Sequence, residues 1–358
     1  MRITEKDKKN TFFSAPLHAF RGFAILCILA VHSWAVPIFI NTSGKKEFSI
    51  KWVNTLNEVL FHDSTLFFTL ISGVMFSIIL KNRSWSRFYK SKLVNVISPY
   101  VVATFAYSAF VWSFDSITFT QLGLVEYFQL SIENIVLGKG LFHLWYVPIL
   151  AVLFLLTPIL VFIKNHRKLN WLFWLIIISP LLGSRTWPDF SWMTVVYFMG
   201  AYSLGIYVGA NYEKTKTFIN RYLGSLMIVA FSTTVALVVL FHSEYTTLGW
   251  IFVTESIFYV QKICIAALIL ALLERSISTV PHWLNVLANY AFAIYFIHGV
   301  FLYVSIVVLR SVGGINFNAK QIILAGLVNL ALIILFSTAV AIGLKHITGK
   351  ASKVIIGA

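Results

Sequence analysis

Residues 20–34 read FRGFAILCILAVHSW. The stretch is the front half of an apolar run over residues 17–40, yet it carries Arg21 at one end and His32 eleven positions later. About 20 predominantly apolar residues suffice to cross a bilayer. Ionisable side chains in such a run are costly and face a protein interior or a water-filled cavity. Arg21 and His32 are therefore candidate functional groups. Eleven residues make about three helical turns, so the two share a face and stand about 16 Å apart along the axis.

The rest of the chain is of the same kind. It has 358 residues, 59% of them hydrophobic and 11% charged, against roughly a quarter charged in a typical soluble domain. Mean hydropathy is +0.83. This composition excludes a water-soluble globule and predicts an all-α integral membrane protein, because a spanning backbone must satisfy its own polar groups. The net charge of +15 does not point to nucleic acid, since the basic residues fall in short loops between apolar runs. Cys27 and Cys264 both lie inside such runs and read as packing residues. No metal-ligand pattern is visible, and no metal is expected.

Ten apolar runs are counted: 17–40, 56–80, 96–114, 142–163, 170–184, 192–210, 222–242, 249–273, 283–309 and 321–344. The basic N-terminus is followed by a long run without a small-residue cleavage pattern, so it reads as a first membrane helix rather than a signal peptide. With ten spans, nineteen of the 28 Lys and Arg residues fall on the side of the termini and seven on the other. The remaining two, Arg21 and Lys262, lie within spans. This asymmetry predicts both termini in the cytoplasm. The whole chain, 1–358, is expected to be one membrane domain. Residues 1–16 and 345–358 are cytoplasmic tails, and 115–141 is an extracytoplasmic segment, either an amphipathic helix along the outer interface or an ordinary loop with a short helix.

Other spans bring polar groups to the depth of His32. His62 and Asp63 end the second, His143 opens the fourth, Glu255 lies in the eighth and His298 in the ninth. His62 and His143 are close enough to the interface to be solvated. Lys262 is expected to pair with a nearby carboxylate or carbonyl; Glu255, seven positions earlier on the same face, is one candidate. Arg21 shares the opposite side with Lys92 and Asn95. Taken alone, Arg21 could be a snorkelling anchor. Taken together, the groups suggest a cationic mouth on the cytoplasmic side and a proton-moving cluster deeper in.

At these residues the sequence resembles the membrane acyltransferase-3 family. RGFAILCILAVH (21–32) is similar to its first-helix signature, an arginine, ten residues and a histidine. STLFFTLISGVMF (64–76) resembles its second helix, KLVNVISPY (92–100) the basic approach to its third, HLWYVPIL (143–150) its LWFL segment, and YAFAIYFIHGVFL (290–302) a late helix. Where the family often has two arginines three apart, this chain has Lys92 and Asn95.

The resemblance implies an O-acyltransferase that moves an acetyl or similar group from cytoplasmic acetyl-CoA, the acyl donor, to a hydroxyl of an extracytoplasmic glycan or lipid-linked sugar. It implies a multi-pass protein of the bacterial inner membrane. Arg21, Lys92 and Asn95 are then expected to bind the coenzyme, and His143 and Trp145 the substrate. His32 is the expected general base, with Arg21, Glu255, His298 and Asp63 assisting in catalysis. The competing expectation is a secondary transporter or flippase for a glycan or polyprenyl-linked substrate, which ten spans with midplane charges would also suit.

Overall fold

The computed structural model describes residues 5–41, 47–80, 84–114, 123–183, 190–243, 247–249, 251–276, 279–311 and 315–358. Residues 1–4 of the expected tail and 115–122 of the expected extracytoplasmic segment lie outside the described residues. The chain folds into helices α1 (Glu5–Ile40), α2 (Phe48–Phe61), α3 (Thr65–Met75), α4 (Trp85–Lys92), α5 (Ser98–Phe114), α6 (Leu124–Leu137), α7 (Tyr146–Asn165) and α8 (Asn170–Ile178). There follow α9 (Trp192–Ala210), α10 (Tyr212–Arg221), α11 (Leu223–His242), α12 (Val253–Ser276), α13 (His282–Asn289), α14 (Ala291–Ser311), α15 (Ala319–Thr348) and α16 (Ser352–Ile355). A two-residue ribbon, Thr247–Leu248 with Ile251–Phe252, precedes α12.

The protein is thus an all-α integral membrane protein. Among the described residues, eight helical stretches are long and apolar enough to cross a bilayer, α2 and α3 together forming one of them as Phe48–Ile78. The two remaining apolar runs fall on α5, of 17 residues and joined to α4 by a π-helical turn over Leu93–Ile97, and on the short α8. The outer surface is apolar: α11 exposes Ile228 and Phe231 and buries little beyond Ala230 and Leu237. Close packing of α3 on α9 depends on small residues, as in membrane bundles generally. A Cβ on Gly205 would stand 2.1 Å from the Leu70 carbonyl oxygen, and one on Gly73 2.2 Å from that of Tyr202. Helix α6 lies against α5, where Tyr127 donates to the Phe105 carbonyl and Tyr100 to that of Ile135.

Two helix irregularities position the site. Pro37 sits inside α1 and has no N–H, so the carbonyl of Ser33, four residues earlier, loses its helical partner. Asn329 of α15 supplies one, its Nδ2 lying 3.0 Å from that oxygen. Two residues back, Asn57 of α2 donates to the Val31 carbonyl at 3.0 Å. His32 therefore sits between two carbonyls, each held by an asparagine from another helix.

The second irregularity is the end of α2. Its last helical bond runs from the His62 N–H to the Glu58 carbonyl, which leaves the carbonyls of Val59, Leu60 and Phe61 to find partners inside the membrane. Lys262 Nζ donates to Leu60 at 2.8 Å and to Val59 at 3.3 Å, Gln261 Nε2 donates to Val59, and Ser64 Oγ donates to Phe61. Lys262 is fully buried. Of the two kinds of partner expected for it, the carbonyls are the observed one; the ammonium caps α2 and is not bonded to Glu255. The chain then turns through Asp63 with φ +57°, a left-handed conformation that Asp and Asn tolerate better than most residues, and restarts as α3.

Candidate active site

His32 projects from α1 into a cavity of about 720 Å³. His62, Asp63, Phe142, His143 and Trp145 share its lining. Three imidazoles meet here: the ring of His298 lies 5.5 Å from that of His32 and 4.4 Å from that of His143. Phe142 packs edge-on against His32 at 5.1 Å.

Each ring has its own support. His298 is fully buried on α14, and its Nδ1 is 2.7 Å from the Tyr295 carbonyl and 3.2 Å from that of Ile294. A carbonyl only accepts, so the Nδ1–H is the donor and Nε2 keeps its lone pair. His143 is 3% exposed. Its carbonyl accepts the hydroxyl of Tyr295, and its ring lies in the notch left by Gly299, where a Cβ would come within 2.1 Å of Cε1. Among the described residues, no group stands in good hydrogen-bond geometry to either ring nitrogen of His143 or to Nε2 of His298, and all three atoms are buried. The expectation that His143 is solvated at the interface is corrected: the segment before α7 turns inward and is clamped against α14.

His62 keeps 26% of its side chain exposed and sits among carboxylates. Its Nδ1 is 3.0 Å from Glu58 Oε2, and its Nε2 is 3.6 Å from Asp63 Oδ1 and 3.8 Å from Glu255 Oε1. Asp63 in turn accepts the Tyr197 hydroxyl at 2.7 Å, and that hydroxyl also lies 3.1 Å from the Glu255 carbonyl. The ligand atoms of His62, Asp63 and Glu255 fall within 4.8 Å of one another, a group that could hold a cation. No metal was expected from the sequence.

The groups predicted for the coenzyme do not line this cavity. Arg21 donates through Nε, at 2.8 Å, and through Nη2 to the Ala288 carbonyl, where α13 gives way to α14. That is a fixed hydrogen bond, not a snorkelling contact. Lys92 Nζ stands 4.3 Å over the Phe154 ring and 5.7 Å from that of Phe88. Asn95 donates back to the carbonyl and hydroxyl of Ser91. The shared face predicted for Arg21 and His32 is observed, since both point at the α13–α14 stretch.

Sequence reading placed His32, His298 and His143 as separate candidates and missed what orients them: Tyr295, Gly299 and Phe142, with Asn57 and Asn329 along α1. Tyr295 and Gly299 flank His298 in AIYFIHGV, and a glycine beside a span histidine was the available signal. Nothing in the sequence marked Tyr197 as the partner of Asp63.

A buried imidazole cluster opening on a cavity inside a helical membrane bundle is chemically able to take up and release protons. A model of the acyltransferase-3 family, described as an acyltransferase domain, matches residues 16–346, and the chain belongs to that family. It is a membrane acyltransferase. No curated protein and no solved structure matches the chain.

Proposed function

We propose that this protein is an O-acyltransferase of the bacterial inner membrane. It takes an acetyl or similar acyl group from cytoplasmic acyl-CoA and places it on a hydroxyl of an extracytoplasmic glycan or lipid-linked sugar. The observation that carries the reading is the position of His32: in the cavity wall, beside His298, on the same helix face as Arg21. A base at this depth is reachable from one side by a coenzyme and from the other by a hydroxyl. His32 removes the hydroxyl proton as the oxygen attacks the thioester, a role typically worth 10²–10⁴ in rate. The carboxylates Asp63 and Glu255, gathered around His62, make the cavity wall able to hold a proton or orient a polar acceptor.

The basic side of the bundle, with both termini, faces the cytoplasm by the distribution of Lys and Arg. Coenzyme A is polyanionic, and Arg21, Lys92 and Asn95 lie towards that side. Trp145 and His143, in the cavity lining, serve the acceptor and the transferred group. A transporter has no use for a base aligned with a coenzyme mouth.

The test is direct. His32→Ala should abolish acetyl transfer by the detergent-purified protein while acetyl-CoA binding persists. A His32→Ala protein that still transfers acetyl within a few-fold of wild type removes the proposed base. A wild-type protein that binds no acyl-CoA but carries a glycan lipid across vesicles returns the reading to a transporter.

A further inference from the structure

Residues 352–358, expected as part of a cytoplasmic tail, fold back against the bundle. Helix α16 lies on α5 and on the π-helical turn over Leu93–Ile97. Ser352 and Ile356 are buried, Ile356 in a small apolar cluster with Ala293, Ile297 and Ala341. The Ser352 carbonyl accepts the N–H of Ile356 at 2.8 Å and that of Gly357 at 3.1 Å. Gly357 closes this turn with φ +74°, a left-handed conformation that glycine adopts at no steric cost. A Cβ there would stand 3.1 Å from the Asn95 carbonyl oxygen and 3.3 Å from Phe292 Cβ. This strap follows the region that the family model matches.

What the strap covers is a break in helical bonding. Pro99 has no N–H, so the Asn95 carbonyl, four residues earlier, has no α-helical donor. Just there the helix runs as a π turn, in which the Ser98 N–H reaches back five residues to the Leu93 carbonyl. Such turns are rare, and within helices they gather at functional sites. The bulge sets the direction of what precedes it, because one residue of register turns a helix by about 100°. Lys92 comes immediately before it, with Nζ 4.3 Å over the Phe154 ring. The strap also reaches the other half of the coenzyme mouth. Tyr290 packs against its apolar cluster, two residues beyond the Ala288 carbonyl that holds Arg21. One short segment thus ties together the two places where coenzyme-binding groups are anchored.

We propose that the strap, through Ile356 and Gly357, is a positioning element of the coenzyme mouth: it holds the π turn in register, so that Lys92 meets the phosphate groups of acyl-CoA at a fixed place relative to Arg21. The inference rests on the acyltransferase reading above, with Lys92 as a coenzyme contact. Ile356 and Gly357 do not touch the donor; they act through Lys92. With the strap unseated the turn can relax, and the ammonium loses its direction rather than its chemistry. Donor affinity then falls while the transfer step at His32, on another helix, goes on.

The experiment is a double-mutant cycle on the full-length protein in detergent. Acetyl-CoA affinity is read by calorimetry, and KM and kcat by release of the coenzyme thiol with bacterial envelope polysaccharide as acceptor. Gly357→Val sets a branched side chain against Asn95 and Phe292 and unseats the strap; Ile356→Ala loosens it more gently. Lys92→Ala should weaken acetyl-CoA binding about tenfold or more, the worth of a hydrogen bond to a charged group. Gly357→Val should weaken it by a similar factor and Ile356→Ala by less, both raising KM with kcat within a few-fold. Added to Lys92→Ala, Gly357→Val should cost less than about threefold more, since residues that act through one contact are not additive. A Gly357→Val protein that binds acetyl-CoA like wild type, or whose loss adds in full to that of Lys92→Ala, overturns the inference and leaves Lys92 in the mouth. A fall in kcat at unchanged KM does the same. If Gly357→Val does not accumulate, Ile356→Ala takes its place in the cycle; if that variant also fails to accumulate, the strap is a folding element and the inference falls. A Lys92→Ala protein with wild-type affinity removes the mouth itself. A wild-type protein that binds no acetyl-CoA sinks the donor reading first and this assignment with it.

Discussion

Asn329 gives Ser33 the hydrogen bond that Pro37 denies it: its Nδ2 lies 3.0 Å from the Ser33 carbonyl oxygen, next to His32 in sequence. In hydrocarbon that oxygen has no water to turn to. Asn329→Leu should therefore cost about 1–3 kcal/mol, read as a lower melting temperature in detergent, together with a fall in activity as His32 loses its fixed backbone. Adding Pro37→Ala restores an N–H to the helix at the right place. The double variant should recover most of the lost stability, and additive losses instead would break the proposed link.

Gly299 predicts a local effect. A methyl there would stand 2.1 Å from His143 Cε1 and 2.4 Å from its Nδ1. The imidazole can yield into the open cavity, so Gly299→Ala should fold with nearly unchanged thermal stability. It should nevertheless lose tenfold or more in kcat, since misplacement by about 1 Å can cost up to 10²-fold. Gly205→Ala is the contrast. Its methyl meets the Leu70 backbone oxygen at 2.1 Å, which cannot yield, and the variant should fail to accumulate. Equal behaviour of the two would refute the distinction.

Lys92 predicts a pH dependence. Burial draws its ammonium down to about 8 from the usual lysine value, and it stands over the Phe154 ring. The charged form attracts a phosphate and the neutral form does not. Acetyl-CoA affinity should therefore hold below pH 8 and weaken as pH rises through that value. Lys92→Arg stays charged, so its affinity should be flat over the same range. Titrating both proteins from pH 6.5 to 9.5 by isothermal calorimetry, a range set about the lysine's displaced value, decides it; identical slopes would remove Lys92 from the coenzyme mouth.

The residues that sequence reading found were those whose chemistry is out of place in lipid. Arg21, His32, His298 and Asp63 stand out because a charge or imidazole in an apolar run has few ordinary reasons to be there. Depth followed from helical rise, and the structure sets Arg21 against Ala288 and His32 against His298, in the predicted order along one face. Assigning partners was harder. His143 was read as solvated because it opens an apolar run, but a run's end is not the membrane's edge when a loop folds inward. The break at Asp63 depends on a lysine and a glutamine some two hundred positions away, which no local pattern reports. The positioning groups, Asn57, Asn329, Tyr197 and Gly299, are ordinary residues whose roles exist only once the helices are packed.

The cap on α2 also dictates when that helix can be complete. Lys262 and Val59 are 203 residues apart, so a ribosome that has just released α2 has yet to make the side chain that closes its end. Until α12 enters the bilayer, the nascent α2 carries open carbonyls in oil, and the lysine, arriving later, enters as a bare cation until it finds them. Each half is a poor membrane segment alone and an acceptable one with the other. The wall formed by His62 and Asp63 therefore depends on α12 being in place beside α2.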